Sequence, residues 1–155
     1  MFSDLEQQLH QYNSLIKEND ELYRDVAKSL GLPDCAFWIL YFIRENPTPM
    51  TQSEICSFLY QPKQTVNSSL KKLASEGYIQ LSVSGHRSKQ ILLTEKGREL
   101  TSQTVDRVMD RELAALLALS EKERHDFLNL FEKYTAELKE QMRIFRHEKT
   151  DHTAI

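Results

Sequence analysis

The chain has 155 residues, enough for one domain or for one domain with an added dimerisation layer. Its composition, 40% hydrophobic and 28% charged, excludes a disordered chain, and no apolar run approaches the roughly 18 residues of a transmembrane helix. The first residues, Met1 to Asp4, lack the basic and apolar stretches of a signal peptide, so we expect a cytoplasmic protein.

The net charge of −3 is unevenly distributed. Between Pro47 and Arg98 there are seven basic and three acidic side chains, a balance of +4, which leaves −7 for the remainder. Because neutralising phosphates supplies much of the free energy of DNA binding, this asymmetry favours a DNA-reading centre flanked by acidic helices. A solvated basic surface without a partner is the alternative.

The first predicted element is a long amphipathic helix, with apolar residues every three or four positions up to Leu30 and an end at Gly31. Pro33 suits the first turn of a second helix, which runs to about Ile43. This helix is apolar on nearly all sides, so we expect it in the core. The Asn-Pro-Thr-Pro segment that follows ends it.

Two short helices joined by about three residues come next, and these are the proportions of a helix-turn-helix. Thr51 and Glu54 form a capping box that starts the first of them. Pro62 opens the second, which continues to Ser75 and is capped by Gly77.

A β-hairpin follows directly, because residues 78–83 and 89–93 are rich in β-forming side chains and the polar residues 84–88 include a glycine. Thr94 then caps a long fifth helix, whose apolar positions extend to Leu117. A second capping box, Ser120 with Glu123, starts a last helix.

These elements predict a mainly α (α+β) fold, a winged helix-turn-helix with long N- and C-terminal dimerisation helices. We expect the DNA-binding lobe at 31–100 and the dimerisation region at 1–30 and 101–147. The chain looks frayed from His147, so residues 148–155 are predicted to be a disordered tail.

If helix 62–75 enters a major groove, its exposed side offers polar side chains to base edges and phosphates. Gln64 and Asn67 could form the paired amide contacts that adenine favours. The hairpin adds Arg87, which could enter a narrow minor groove. The predicted DNA-binding residues are Thr51, Gln52, Lys63, Gln64, Thr65, Asn67, Ser68, Lys71, Lys72, His86, Arg87 and Lys89. A merely solvated helix face is the alternative.

The order of these residues resembles the MarR family of winged-helix regulators from about Gly31 to Leu100. The likeness lies in the succession Leu30-Gly31-Leu32, Trp38 and Leu40, Met50 to Glu54, Pro62 to Asn67, Leu73, Glu76 to Tyr78, and Leu93 to Gly97. It implies a triangular homodimer joined by the terminal helices, a recognition helix at 62–75 and a wing at 82–90. It also implies control by a small ligand or by oxidation, at a pocket between the dimer helices and the lobe.

Two features depart from the family pattern. The family's wing usually carries an aspartate two residues before its key arginine, whereas Gly85 stands before Arg87 here. Family members that sense peroxide use a cysteine in the first helix, whereas Cys35 begins the second. We therefore interpret Cys35 and Cys56 as reduced core residues.

The sequence predicts no enzyme, since it has no glycine-rich phosphate loop, no His-Glu-x-x-His motif and no nucleophile elbow. No cofactor or catalytic residue is expected. The five histidines are scattered, so no metal site is expected either. An adaptor that binds a protein partner and has lost DNA binding is the alternative from another functional class.

The first and last long helices each present an apolar seam that the lobe covers only in part, so we expect a second copy of the chain to bury it. An intramolecular helix bundle is the alternative. A two-fold dimer predicts a pseudo-palindromic operator with half-sites about one helical turn apart.

Aromatic residues near the lobe junction, taken with the family likeness, predict a pocket for a small aromatic or anionic effector. The residues assigned to it are Tyr12, Trp38, Tyr41 and Phe42. A plain hydrophobic core is the alternative, because apolar stripes of helices usually pack.

Overall fold

The computed structural model describes residues 3–59, 61–83 and 89–151. The predicted mainly α fold is confirmed: these residues form seven helices and three strands. They are α1 Asp4–Ser29, α2 Asp34–Glu45, β1 Met50–Thr51, α3 Gln52–Leu59, α4 Lys63–Ser75, β2 Ile79–Val83, β3 Lys89–Leu93, α5 Glu95–Gln103, α6 Val105–Leu117 and α7 Glu121–Asp151.

The chain divides into two compact units between Met109 and Asp110. The first unit includes α1, because Tyr23, Val26 and Leu30 pack against its core. This division differs from the predicted one, which grouped 1–30 with 101–147. The earlier grouping concerned the dimer and stays a prediction.

A glycine turn joins α1 to α2. Gly31 has a φ of +70°, which glycine adopts without the strain that a Cβ brings. The amide of Leu32 donates to the carbonyl of Ala27 and the amide of Gly31 to that of Lys28, both at 3.0 Å, and this pattern is a Schellman motif. Pro33 is the N-cap of α2, one position before the first helical turn where the sequence placed it.

The core of the first unit is built around α2. Phe37, Ile39 and Leu40 are fully buried there, which confirms that this apolar helix is internal. Side chains from the surrounding helices and strands complete the core, among them Ala27, Met50, Ile55, Val66, Leu70, Leu73, Ile79, Ile91 and Val105.

The sheet has the order β1-β3-β2 and is antiparallel throughout. The predicted hairpin is confirmed, since β2 and β3 pair from Ile79 with Leu93 to Val83 with Lys89. Strand β1 was not predicted, and it pairs Met50 with Ile91. It brings the start of α3 against the hairpin.

The prediction of one long fifth helix is wrong, because the chain breaks into α5 and α6 at Thr104, where φ is −123° and ψ is −94°. The hydroxyls of Thr101 and Thr104 donate to the carbonyls of Arg98 and Leu100, at 3.0 and 2.7 Å. Threonine hydroxyls bonded back to the preceding turn bend helices. Both threonines are buried, so the break lies inside the packed unit.

The second unit holds the end of α6 and all of α7. The Ser120 hydroxyl donates to the Glu123 carboxylate at 2.7 Å, and the Glu123 amide donates back to the hydroxyl at 3.3 Å, which confirms this capping box. Helix α7 continues to Asp151, so residues 148–151 are helical where a tail was predicted. Residues 152–155 lie outside the described residues. None of residues 110–147 is buried.

No single helix within the described ranges is long and apolar enough to cross a membrane. Only α1 and α2 taken together meet the criteria of length and composition, and they are bent by 96° at their junction.

Candidate nucleic-acid interface

Helix α3 begins at a capping box, as predicted. The Thr51 amide and hydroxyl donate to the Glu54 carboxylate at 2.6 and 2.8 Å, and the Glu54 amide donates to the hydroxyl at 3.3 Å. Two hydrogen bonds hold the pKa of Glu54 below its usual value. The Thr51 amide has the larger effect and the Thr51 hydroxyl the smaller. The start of α3 is therefore set by local hydrogen bonds.

Helix α4 buries one side and presents the other. Val66, Leu70 and Leu73 are in the core. The opposite side exposes six of the predicted DNA-binding residues, namely Lys63, Gln64, Thr65, Ser68, Lys71 and Lys72. No acidic residue occurs between Lys63 and Ser75.

The charge at the start of α4 differs from that of the other helices. Each of the other six helices in the described part of the chain has an acidic residue in its first turn, whereas α4 has none. The partial positive charge of its N-terminus is therefore not offset by a carboxylate there, and Lys63 adds to it. Such a helix start attracts anions, phosphates among them.

The two neighbouring lysines of α4 have different surroundings. Lys72 lies 3.9 Å from the carboxylate of Glu76 and lines a cavity of about 370 Å³ together with Ser69 and Leu73. Lys71 is exposed and makes no ion pair with the described residues. Lys71 is thus the freer of the two to neutralise a phosphate.

Asn67 and Gln52 lie together rather than separately on the surface. Both are half-buried, and the Gln52 side-chain amide donates to the Asn67 side-chain oxygen. Asn67 therefore differs from Gln64, which is exposed. The predicted contacts of Gln64 and Asn67 to adenine stay predictions.

The end of α4 is held by the segment that starts α5. Gly77 has a φ of +78°, and the Tyr78 amide donates to the Leu73 carbonyl at 2.9 Å, so the predicted glycine cap is confirmed. The Thr94 hydroxyl donates to the Gly77 carbonyl at 2.6 Å. Lys96 donates to the Glu76 carbonyl at 2.8 Å and lies 4.6 Å from the centre of the Tyr78 ring. These bonds fix α4 relative to the hairpin.

The wing can be described only in its strands. His86 and Arg87 belong to residues 84–88, which lie outside the described residues. Lys89 begins β3 and pairs with Val83, but its side chain is likewise not described. Their assignment to DNA remains a prediction.

Three of the four predicted effector residues belong to one aromatic cluster. The ring centre of Trp38 lies 5.4 Å from that of Tyr41 and 6.0 Å from that of Phe42. Tyr12 is half-buried on α1. A cavity of about 200 Å³ is lined by Trp38, Phe42, Phe58, Leu59 and Gln61.

The last three residues of this cavity were missed in the sequence. The sequence analysis assigned no site role to Phe58, which is 50% exposed and whose ring lies 5.4 Å from that of Phe42. Ile55 alone is buried in α3, so this short helix leaves a large aromatic side chain outside the core.

The cysteines have the surroundings of structural residues. Cys35 is buried, and burial raises the pKa of its thiol, while Cys56 is half-buried and both are free thiols. Within the described residues, no group of three metal-ligating side chains occurs.

Comparison with known proteins finds a family match within the first unit. The model of the MarR family matches residues 30–88, which contain α2, β1, α3, α4 and β2. A comparison with curated proteins finds no match.

Solved structures resemble almost the whole chain. A MarR family regulator from Neisseria meningitidis has a TM-score of 0.74 at 20% identity, over 88% of this chain and 96% of that chain. The S. aureus MepR–DNA complex has a TM-score of 0.70 at 19% identity, over 88% and 99%. Staphylococcus aureus MarR in complex with salicylate and kanamycin has a TM-score of 0.66 at 20% identity, over 87% and 92%. The MarR family model thus matches residues 30–88, and the chain has the winged helix-turn-helix fold of these solved MarR family regulators.

Proposed function

We propose that this chain is a transcription regulator that binds a pseudo-palindromic operator as a homodimer, with α4 in the major groove and the wing, residues 82–90, at the minor groove. The observation that carries the proposal is the exposed side of α4, which combines lysines, an amide and hydroxyls and has no carboxylate. Lysines neutralise phosphates, and amides and hydroxyls can bond base edges. The MepR complex with DNA, a protein of the same fold, supports this assignment.

The dimer is supported by apolar residues of α7 that are partly exposed in the single chain. They recur at steps of three and four residues and are between 37% and 52% exposed: Phe127, Phe131, Tyr134, Leu138, Met142 and Phe145. A continuous exposed apolar stripe of this length marks an interface. A second copy of the chain supplies an equivalent stripe, which suits a two-fold contact.

The DNA proposal is tested by selecting binding sites from random DNA and measuring affinity for the selected site by fluorescence anisotropy at two salt concentrations. Lys71→Gln removes one phosphate contact, so we expect weaker binding to every sequence and a salt slope smaller by about one. The matched control is Lys133→Gln, which removes an exposed lysine from α7. Its affinity and slope should equal those of the wild type.

Binding without sequence preference at either salt concentration would contradict operator recognition. That result would favour the adaptor, since a winged helix that no longer reads DNA retains at most a weak electrostatic attraction to it.

We also propose that the aromatic cavity of Trp38, Phe42 and Phe58 binds a small aromatic anion. Its support is the cavity itself and the salicylate complex of the Staphylococcus aureus protein of the same fold. Trp38 is the sole tryptophan of the sequence, so its fluorescence reports on this cavity directly. Titration with benzoate should give a saturable change in that fluorescence, and Phe58→Ala should weaken it. An unchanged signal in the wild type would leave these residues as core.

A further inference from the structure

The pair formed by Gln52 and Asn67 joins the two helices of the helix-turn-helix. Gln52 is the first residue of α3, next to the capping box of Thr51 and Glu54. Asn67 lies in the second turn of α4, between the buried Val66 and the exposed Ser68. The core residues Ile55 and Val66 anchor both helices, so the hydrogen bond from Gln52 to Asn67 connects two fixed positions.

This hydrogen bond decides which way the Asn67 amide is turned. An asparagine amide has one oxygen, whose two lone pairs accept, and one NH₂ group that donates. The bond from Gln52 uses one lone pair and directs the oxygen toward the start of α3. The NH₂ group bonds no described residue, and it is the part of the amide turned away from Gln52.

The remaining donors restrict what Asn67 can recognise. A paired amide contact to adenine needs a donor for N7 and an acceptor for the N6 amino group. An asparagine whose oxygen is directed toward Gln52 presents its donors to the groove and does not form this pair. In the major groove, donors match O6 and N7 of guanine, O4 of thymine and N7 of adenine. Guanine, with two acceptors, is favoured, and cytosine, which presents only an amino group, is disfavoured.

Asn67 also lies within the proposed DNA-binding surface of α4, at a position from which it could contact a base. It lies three residues after Gln64 and four residues before Lys71, so the three share one side of α4. Gln64 and Lys71 are both exposed. A base contact from Asn67 would therefore fall between theirs.

We propose that Gln52 is a positioning residue that orients the Asn67 amide with its donors toward the major groove, so that Asn67 favours guanine or thymine over cytosine and forms no paired contact with adenine. The inference rests on the proposed DNA-binding function. It changes the role of both residues, since Gln52 acts through Asn67 and Asn67 reads bases through its NH₂ group.

Gln52→Glu tests the proposal by replacing the donor with a carboxylate, which only accepts. To keep the hydrogen bond, the Asn67 amide must turn by half a rotation and donate to the new carboxylate. Its oxygen then faces the groove and matches the amino groups of adenine and cytosine. We expect the preferred base at one position of each half-site to change in that direction, by about tenfold in relative affinity. The measurement is selection from random DNA, followed by anisotropy with duplexes substituted at single positions.

Two further variants separate base reading from charge and from folding. Gln80→Glu adds the same charge at an exposed position of β2 and should lower affinity evenly for all sequences. Asn67→Asp keeps an acceptor for Gln52 but removes the donors, so the preference for guanine or thymine should be lost. Thermal unfolding midpoints near that of the wild type show that each variant is folded.

The outcomes distinguish this inference from the function beneath it. A wild-type protein that selects a sequence, together with a Gln52→Glu variant of unchanged base preference at every position, overturns the inference and leaves operator binding intact. A wild-type protein without any sequence preference overturns both.

Discussion

Glu54 shows how a single carboxylate stabilises the start of a helix and makes it sensitive to pH. Its oxygen accepts hydrogen bonds from the amide and the hydroxyl of Thr51, at 2.6 and 2.8 Å. Both bonds favour the ionised carboxylate, so its pKa is lower in the folded protein than in the unfolded chain. The stabilising contribution is therefore complete above the unfolded value, near 4.5, and is lost as the pH falls through the folded value.

Glu54→Gln should flatten this part of the dependence of stability on pH. Glutamine can still close the box with Thr51, but it does not titrate. We expect the variant to be slightly less stable than the wild type at about pH 6, and the difference to shrink as the pH falls through the folded pKa of Glu54, below which both side chains are neutral. Urea unfolding at about pH 6 and at a series of lower pH values measures it.

Glu18→Gln serves as the control, because it replaces an exposed glutamate in the middle of α1. It should not reproduce the convergence. Unfolding free energies of the wild type and Glu54→Gln that stay a constant distance apart from one pH to the other would contradict the prediction.

Whether a contact between two residues could be predicted depends on how far apart they lie in the sequence. The boxes of Thr51 with Glu54 and of Ser120 with Glu123 span three residues, so the local pattern is sufficient and both predictions are confirmed. The bond from Gln52 to Asn67 joins positions 15 apart, and nothing in a local pattern indicates it. Asn67 was therefore predicted as a DNA-binding residue without its partner.

At the scale of elements, Gly97 lies where the start of α5 approaches the segment between α4 and β2. A Cβ at this position would lie 1.9 Å from the carbonyl oxygen of Tyr78, and that oxygen already accepts from the Thr94 amide at 3.0 Å. A backbone carbonyl held in this way cannot move aside without breaking its hydrogen bond. Only glycine allows the two segments to approach so closely.

Gly97→Ala should therefore destabilise the protein, although alanine is the better helix former by about 1 kcal/mol. The expected net loss is about 1 to 3 kcal/mol, because the overlap forces the backbone of α5 away from Tyr78. Chemical unfolding measures it. The control is Ser102→Ala at an exposed position of the same helix, which should change stability by less than about 0.5 kcal/mol. A Gly97→Ala variant as stable as the wild type would show that α5 can be displaced without cost.

Predictions of helices and strands were right where a glycine or a proline marks the end of an element. They failed where the apolar spacing continues across a break. Gly31, Pro33, Pro62 and Gly77 bounded helices that the structure confirms within one residue. The break at Thr104 was hidden, because buried positions before and after it keep the spacing of a continuous helix. Strand β1 has two residues, too few to show any alternation.

At the scale of the whole molecule, the order of elements was predictable and the division into units was not. The lobe follows from turn signals that are local in sequence. The grouping of α1 with this lobe depends on packing of Tyr23 and Leu30 against the core, between residues far apart in the chain. The amphipathic pattern of α1 was the same whether a core or a second subunit covers it.

In the second unit, the apolar stripe on α7 is the feature that supports a homodimer. Phe127 and Phe131 are 52% and 43% exposed, and no residue among 110–147 is buried. Helices of this kind depend on packing for their stability, since helix propensity alone contributes little. In the proposed dimer, a second copy of the chain would bury the exposed part of this stripe.

Phe131→Glu should dissociate the proposed dimer. The variant places one carboxylate per subunit in an interface where water and counter-charges are excluded, and an unpaired buried charge costs enough to weaken association on the order of a hundredfold. Asn129→Glu adds the same charge two residues earlier, away from the stripe, and should leave association unchanged. Sedimentation measurements at micromolar concentration should give the mass of one chain for the first variant and of two chains for the second. In the proposed complex, operator affinity depends on two linked half-sites, so Phe131→Glu should also weaken DNA binding in proportion to the loss of dimer. A mass of two chains for both variants would remove the stripe from the interface.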